Sequence, residues 1–206
     1  MDPRAITLQD GDDRDPALAA ALIFDTDPHI FSFLHGHDRV RADHHLAYQW
    51  QQPAGLFSHR YARLAVDGAA LRGLALGFSA AEQQVGAGPF FAQAQAILDE
   101  GGRLALARWV QEGRYVLPPI PPMAFYLQNL AVVPELRGRG VGQRLLEDVF
   151  ERARQAGCEA VHLDLYAGNP AQALYERAGF KVLVETRVPA LVDEGIGLHL
   201  HMAAAL

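Results

Sequence analysis

The chain has 206 residues, half of them hydrophobic and a fifth charged, with a formal net charge of -6. That balance excludes a disordered segment, argues against a nucleic-acid binder, whose partner demands a basic face, and suits a cationic substrate. The start Met1-Asp2-Pro3-Arg4 lacks the regions of a signal peptide, no apolar run reaches the length of a membrane span, and the lone Cys158 forbids an internal disulfide, so a cytoplasmic location is expected.

Ala5 to Leu8 read as a short first strand. Asp15-Pro16 then opens a helix, with Asp15 as cap, Pro16 in the first turn and Leu18, Leu22 and Ile23 as the apolar stripe. Asp25 to Asp38 reads as a loop or broken helix around Ile30, Phe31, Phe33 and Leu34, and Asp38 to Gln52 as a second helix. Tyr61 to Val66 and Leu71 to Phe78 form a strand pair joined at Asp67-Gly68. Between strands three and four, residues 79–122 read as a helical insertion. Phe91 to Leu98 and Leu104 to Val110 are its helices, Gly101-Gly102 separates them, and a proline-rich connector (Pro118, Pro119, Pro121, Pro122) ends it.

Phe125 to Val133 is the fourth strand and Val141 to Ala156 an amphipathic helix ending at Gly157. Val161 to Tyr166 is the fifth strand, and Asn169-Pro170 opens a short helix to Ala178. Phe180 to Val188 and Leu198 to Met202 complete the sheet. The order predicts one α/β domain over residues 1–206, a mixed twisted sheet with helices on both faces.

The densest signal is Arg137-Gly138-Arg139-Gly140-Val141-Gly142, a strand-to-helix turn. Alternate glycines let the backbone approach a ligand, and the N–H groups of the helix start suit a phosphate or pyrophosphate. The turn lacks the Gly-Lys-Ser or Gly-Lys-Thr of a P-loop, and its glycine spacing differs from the dinucleotide fingerprint. Taken by itself it reads equally well as a tight connection that needs glycine for packing.

Around the turn lie Leu127-Gln128-Asn129-Leu130-Ala131-Val132-Val133-Pro134, then Leu163-Asp164-Leu165, then Leu174-Tyr175-Glu176-Arg177-Ala178-Gly179-Phe180. In this order and spacing the run from Phe125 to Val184 resembles the GCN5-related N-acetyltransferase (GNAT) superfamily. Over the first half the resemblance rests on the order of elements alone. It implies the GNAT acyl-CoA N-acyltransferase fold and transfer of an acetyl group from acetyl-CoA, as co-substrate, to a primary amine of a small molecule or peptide. The pyrophosphate would sit on the amides of Gly138, Arg139, Gly140, Val141, Gly142 and Gln143. The pantetheine arm would run along Leu130, Ala131 and Val132. Arg137 or Arg139 would add charge, and Asn169 would contact the cofactor arm or cap a helix. Asn169 stands six residues before Tyr175, one fewer than is usual in the family. Tyr175 would be the acid for the departing thiolate.

The proton acceptor stays open. Tyr126 and Gln128 occupy the strand-four positions where the family often places Glu or His, and Tyr126 is read as a catalytic candidate that orients substrate or water. His29, His35, His37, Asp38, His199 and His201 are further candidates, as is selection of the free amine from solution. Leu198, Leu200 and Met202 alternate with His199 and His201, which predicts a half-buried last strand with its histidines outward rather than a metal site. Asp164 reads as a solvent-facing strand residue, Cys158 as a small packed side chain, and Asp10, Asp12, Asp13 and Asp15 as a solvated turn. Asp25, Asp27 and Asp38 fall where such a fold builds its acceptor wall, although each is also placed to cap a helix or turn. No nucleic acid, membrane or metal partner is expected, and a homodimer is compatible with the sequence. The alternatives are a catalytically silent CoA-binding sensor or structural protein of the same fold, and an enzyme for a longer acyl-CoA.

Overall fold

In the computed structural model, residues 5–206 are described; the stretch Met1-Asp2-Pro3-Arg4 lies outside them. Runs rich in Leu, Val and Ala build a seven-stranded sheet of β1 (Thr7–Asp10), β2 (Ala62–Asp67), β3 (Ala70–Ser79), β4 (Ala124–Val132), β5 (Ala160–Tyr166), β6 (Lys181–Thr186) and β7 (His199–Ala205). Its order is β1-β2-β3-β4-β5-β7-β6. Every neighbouring pair is antiparallel except β4 and β5. The first strand begins two residues later than its sequence suggests, and β7 runs on to Ala205.

Helix α1 (Pro16–Thr26) starts as expected, with the Asp15 side chain accepting from the Leu18 amide at 3.2 Å. Asp27 stops it and caps α2 (Pro28–Leu34), accepting from the Ile30 amide at 3.1 Å. The two helices meet at a bend of 110°. Asp38 caps α3 (Arg39–Gln51). Helix α6 (Val141–Gln155) packs its stripe of Val141, Leu145, Leu146 and Val149 on the sheet and ends at Gly157, which is left-handed (φ 70°). Both α1 and α6 contact β3 and β4, whose residues are buried on both faces, so helices cover the sheet from either side. Trp50, Phe78, Leu46, Leu64, Leu74, Leu145 and Leu146 are wholly enclosed between the layers. Among the described residues no single helix is long and apolar enough to cross a membrane.

The insertion is more helical than its sequence suggests. Helix α4 runs from Ala80 to Ile97 because Ser79 and Glu82 form a reciprocal capping box directly after β3. Pro89 lies inside this helix. The break falls at Leu98–Asp99, not at Gly101-Gly102. The Asp99 carboxylate accepts from the Gly102 amide at 2.8 Å and so draws both glycines into the first turn of α5 (Glu100–Glu112). Pro118 to Ile120 carry no regular structure, as the proline cluster predicts. Helix α7 covers Gln172–Arg177, starting two residues past Pro170, and a single turn, α8 (Pro189–Val192), precedes β7.

The register of β3 against β4 shifts at Leu76/Gly77, where Leu76 faces Asn129 and Gly77 faces Leu127. Gln128 is therefore an extra residue, a bulge beside the parallel junction. A Cβ on Gly77 would stand 2.7 Å from the Phe125 ring and 2.8 Å from the Tyr126 carbonyl oxygen. Gly77→Ala is therefore expected to destabilise the fold by about 1–3 kcal/mol through overpacking, read as a lower thermal-unfolding midpoint with unchanged far-UV dichroism.

Candidate active site

Strands β4 and β5 pair only from Ala124–Ala160 to Tyr126–His162. Beyond Tyr126, β4 keeps its bonds to β3 while β5 continues against β7. The Val133 amide donates to Arg72 on the β3 side at 2.9 Å. By the alternation of a strand, Leu130 and Val132 therefore turn their N–H and C=O groups towards the gap. Such an edge is a pairing site for an extended ligand. At its end the chain enters a turn at Pro134–Leu136, and Gly138 and Gly140 take left-handed conformations (φ 69° and 83°). A Cβ at either position would meet nothing within 4 Å. Gly140 caps α6 without a side chain, and the first helical bond is the Arg144 amide to the Gly140 carbonyl at 3.1 Å. The amides of Val141, Gly142 and Gln143 thus point out of the helix start. Arg137 ties the turn to the strand, its Nε donating to the Val132 carbonyl at 2.9 Å.

The bend between α1 and α2 lies over the gap. The Thr26 hydroxyl accepts from Asn129 of β4 at 2.7 Å, and the Thr26 carbonyl accepts from Asn169 Nδ2 at 3.3 Å. One residue thereby links both sides of the split. Beneath this bend a cavity of about 940 Å³ runs from the glycine turn to the helical insertion. Its lining includes Leu130, Val132, Gly140, Tyr175 and Tyr126, and the carboxylates Asp25, Asp27 and Asp164.

Two buried polar chains reach these carboxylates. The Tyr126 hydroxyl donates to Asp164 Oδ2 at 2.9 Å, Asp164 Oδ1 lies 2.8 Å from His201 Nδ1, and His201 Nε2 lies 3.0 Å from His162 Nδ1. Burial, then the Asp164 charge, pushes the Tyr126 phenol well above its usual range, so it stays a donor. Burial, then His201, lowers His162. In the second chain Asp27 Oδ2 lies 2.9 Å from His199 Nε2, whose Nδ1 faces the Gly197 carbonyl at 3.1 Å. Burial opposes charge on His199, but the hydrogen bond and charge of Asp27 outweigh it, and the net shift is upward. Tyr175 is buried with its ring 5.6 Å from that of Phe180, and burial raises its phenol.

A family model for the acetyltransferase (GNAT) domain matches residues 90–182. A crystal structure of an N-acetyltransferase from Staphylococcus aureus Mu50 superposes with a TM-score of 0.68 at 14% identity, covering 96% of this chain and 100% of that one. A crystal structure of another acetyltransferase superposes at 0.63 with 21% identity, covering 97% and 98%.

Residues 90–182 thus match the acetyltransferase (GNAT) domain family, and the chain shares its fold with solved acetyltransferases.

An uncharacterized N-acetyltransferase of Bacillus subtilis strain 168, YvbK, is 30% identical over 71 residues, which is 34% of this chain and 46% of that protein. An uncharacterized protein of Mycobacterium leprae strain TN is 40% identical over 62 residues, 30% of this chain and 16% of that protein. The matches thus span less than half the length of either curated relative.

Within this fold the cavity gathers Tyr126, Leu130, Ala131, Val132, Arg137, Gly138, Gly140, Gly142, Gln143, Asn169 and Tyr175. Arg139 and Val141 are not in its lining; the Val141 side chain is buried beneath the helix start. The Asn169 carboxamide is occupied twice, its Oδ1 accepting from the Ala171 amide at 2.9 Å and its Nδ2 donating to Thr26. It shapes the loop ahead of α7 rather than capping that helix directly.

Several expectations are corrected. His199 and His201 do not face outward: they are 0% and 4% exposed, because Asp27 at the α1–α2 bend covers the first and Asp164 and His162 of β5 flank the second. Asp164 does not face solvent, its side chain being 3% exposed, because it answers His201 and Tyr126 across the sheet. Tyr126 and Gln128 do not repeat one environment. The bulge turns Gln128 to the Leu56 carbonyl (3.0 Å), while Tyr126 reaches Asp164. His35 bonds Phe31 O and His45 Nδ1 at 2.7 and 2.8 Å, outside the main cavity, and burial lowers both rings, His45 to about 3. His29 packs beside Tyr166 at the surface, His37 lies near Glu194, and Asp38 is spent on the cap of α3. The Asp27–His199 pairing was not legible, since its partners stand far apart in sequence.

A histidine raised in the folded state contributes stability that is complete below its unfolded pKa, about 6.5, and is lost as pH rises through the folded value. The histidines shifted downward act mainly below that point, so above pH 6.5 His199 is the histidine whose raised value governs the slope, and the Asp27 substitution separates it from the raised Cys158 thiol. Urea denaturation from pH 6.5 to 8.5 should show a falling midpoint, and Asp27→Asn should flatten that slope.

Proposed function

We propose that this protein transfers the acetyl group of acetyl-CoA to a primary amine by direct attack. The observation that carries the reading is the open edge of β4, which runs from the glycine turn past Tyr175 to a cavity lined by carboxylates. The residues present fit the coenzyme. Left-handed Gly138 and Gly140 leave their outer faces clear, and Gly142 admits close approach beside Leu174. The amides at the start of α6 would hold the diphosphate, and the gap-facing groups of Leu130 and Val132 would pair with the pantetheine amides.

When bound, the thioester supplies the activated acyl group. The chain positions, neutralises and moves protons. Asp27 and Asp164 offer counter-charge to an ammonium entering the cavity. No histidine lines that cavity among the described residues, and of its three carboxylates, Asp25, Asp27 and Asp164, the last two are held by buried histidines and are taken as its proton-accepting groups. The Asp27–His199 and Asp164–His201 pairs fix their orientation. Tyr126 positions Asp164. Tyr175, held neutral by burial, is the donor for the leaving sulfur.

Tyr175→Phe should lower kcat about 100-fold, within the usual range for general-acid loss, while the Kd for CoA measured by calorimetry holds. Unchanged turnover would remove Tyr175 from the mechanism. Replacing the left-handed Gly140 with Val should weaken CoA binding about tenfold or more, since a β-branched residue resists that backbone. Tight CoA binding with no acetylation across a broad amine panel would favour the silent sensor instead.

A further inference from the structure

We infer that the acceptor is a primary amine carried on a bulky apolar body, rather than a polyamine, a free amino acid or a peptide terminus. This rests on the acetyl-transfer reading above. The cavity has two chemically distinct ends. One holds the glycine turn, the open strand edge and Tyr175. The other is walled by α2, α4, α5 and the segment before β4, whose contribution is almost wholly apolar. Phe31, Phe57, Phe90 and Phe91 form a continuous series there, with successive ring centroids 5.7, 5.9 and 5.1 Å apart. Leu106 and Trp109 of α5 extend it. Phe91 is 38% exposed although it lines the cavity, so apolar surface stands ready for a ligand.

The charge at the boundary is of one sign. Asp27 caps α2 and Phe31 follows one turn later on that helix, which sets a carboxylate beside the aromatic wall. Asp164 faces the same space. An ammonium with an apolar tail satisfies both features at once. The three lining carboxylates, Asp25, Asp27 and Asp164, all lie off the walls built by α4 and α5, so a polyamine extended along those walls would leave its far ammonium without a partner. An amino acid would need a cation next to the carboxylates. Of the lining arginines, Arg137 lies on the glycine turn and Arg177 at the end of α7, while Arg114, in the segment before β4, is engaged by Tyr115, stacking on its ring and donating to its hydroxyl.

The test uses the purified full chain, acetyl-CoA and a panel of 2-phenylethylamine, tryptamine, spermidine, lysine and a short peptide with a free N-terminus. The aryl amines should show kcat/KM at least about tenfold above the polar acceptors. Phe91→Ser, at a partly exposed position that leaves the fold intact, should cut that preference several-fold by raising KM for the aryl amines. Its thermal midpoint should hold. Calorimetry of 2-phenylethylamine with the CoA-bound chain gives a second readout, with binding weakened by the same substitution. Preference for spermidine, lysine or the peptide, or a preference unmoved by Phe91→Ser, overturns the inference while leaving acetyl transfer in place. Silence towards every amine despite CoA binding overturns the transfer reading and this inference with it.

Discussion

The divergence of β4 from β5 after Tyr126 is the constraint from which the rest of the molecule follows. Two parallel strands that stay paired leave no room for a ligand between them. Here three residue pairs hold the strands together, and then each bonds only to its outer neighbour. The backbone groups exposed by this separation demand partners. Helix α6 begins where the free edge ends, so one strand delivers both an edge for pairing and a set of helix-start amides for an anion.

The bulge at Gln128 sits beside the place where pairing stops. It breaks the period of the strand, sending Tyr126 to Asp164 and Gln128 to the Leu56 carbonyl. On the far side β7 slots between β5 and β6 and carries two histidines inward. Each meets a carboxylate that lines the cavity. Buried ionisable groups are costly unless paired. Their pairing here accounts for how carboxylates are held beside apolar walls.

The architecture was largely legible from the chain. Periodicity and caps located α1, α3 and α6, and the glycine turn with its flanking strand pointed to the fold. Local chemistry dominated those segments: Asp15-Pro16, Asp38 and Gly157 act on neighbours within a few residues. The polar floor of the cavity was not legible. Asp27 and His199 are 172 residues apart, and Asp164 and His201 are 37 apart. An alternating strand reads as half-exposed unless what covers its outer face is known, and here the α1–α2 bend brings Asp27 onto that face of β7 while β5 brings Asp164. The insertion failed in a different way: two glycines signalled a break, but Asp99 captured an amide in that turn and made it helix.

Thr26 joins the two halves of the machine. Its hydroxyl fastens β4 through Asn129, its carbonyl fastens the loop after β5 through Asn169, and the next residue is Asp27. A guest that widens or narrows the gap therefore pulls on the backbone that aims the Asp27 carboxylate. On the proposed reading, a coenzyme in the gap and an amine beside Asp27 would share this one joint, and linkage would make their influence mutual: whatever the first did to the affinity of the second, the second would return in equal measure.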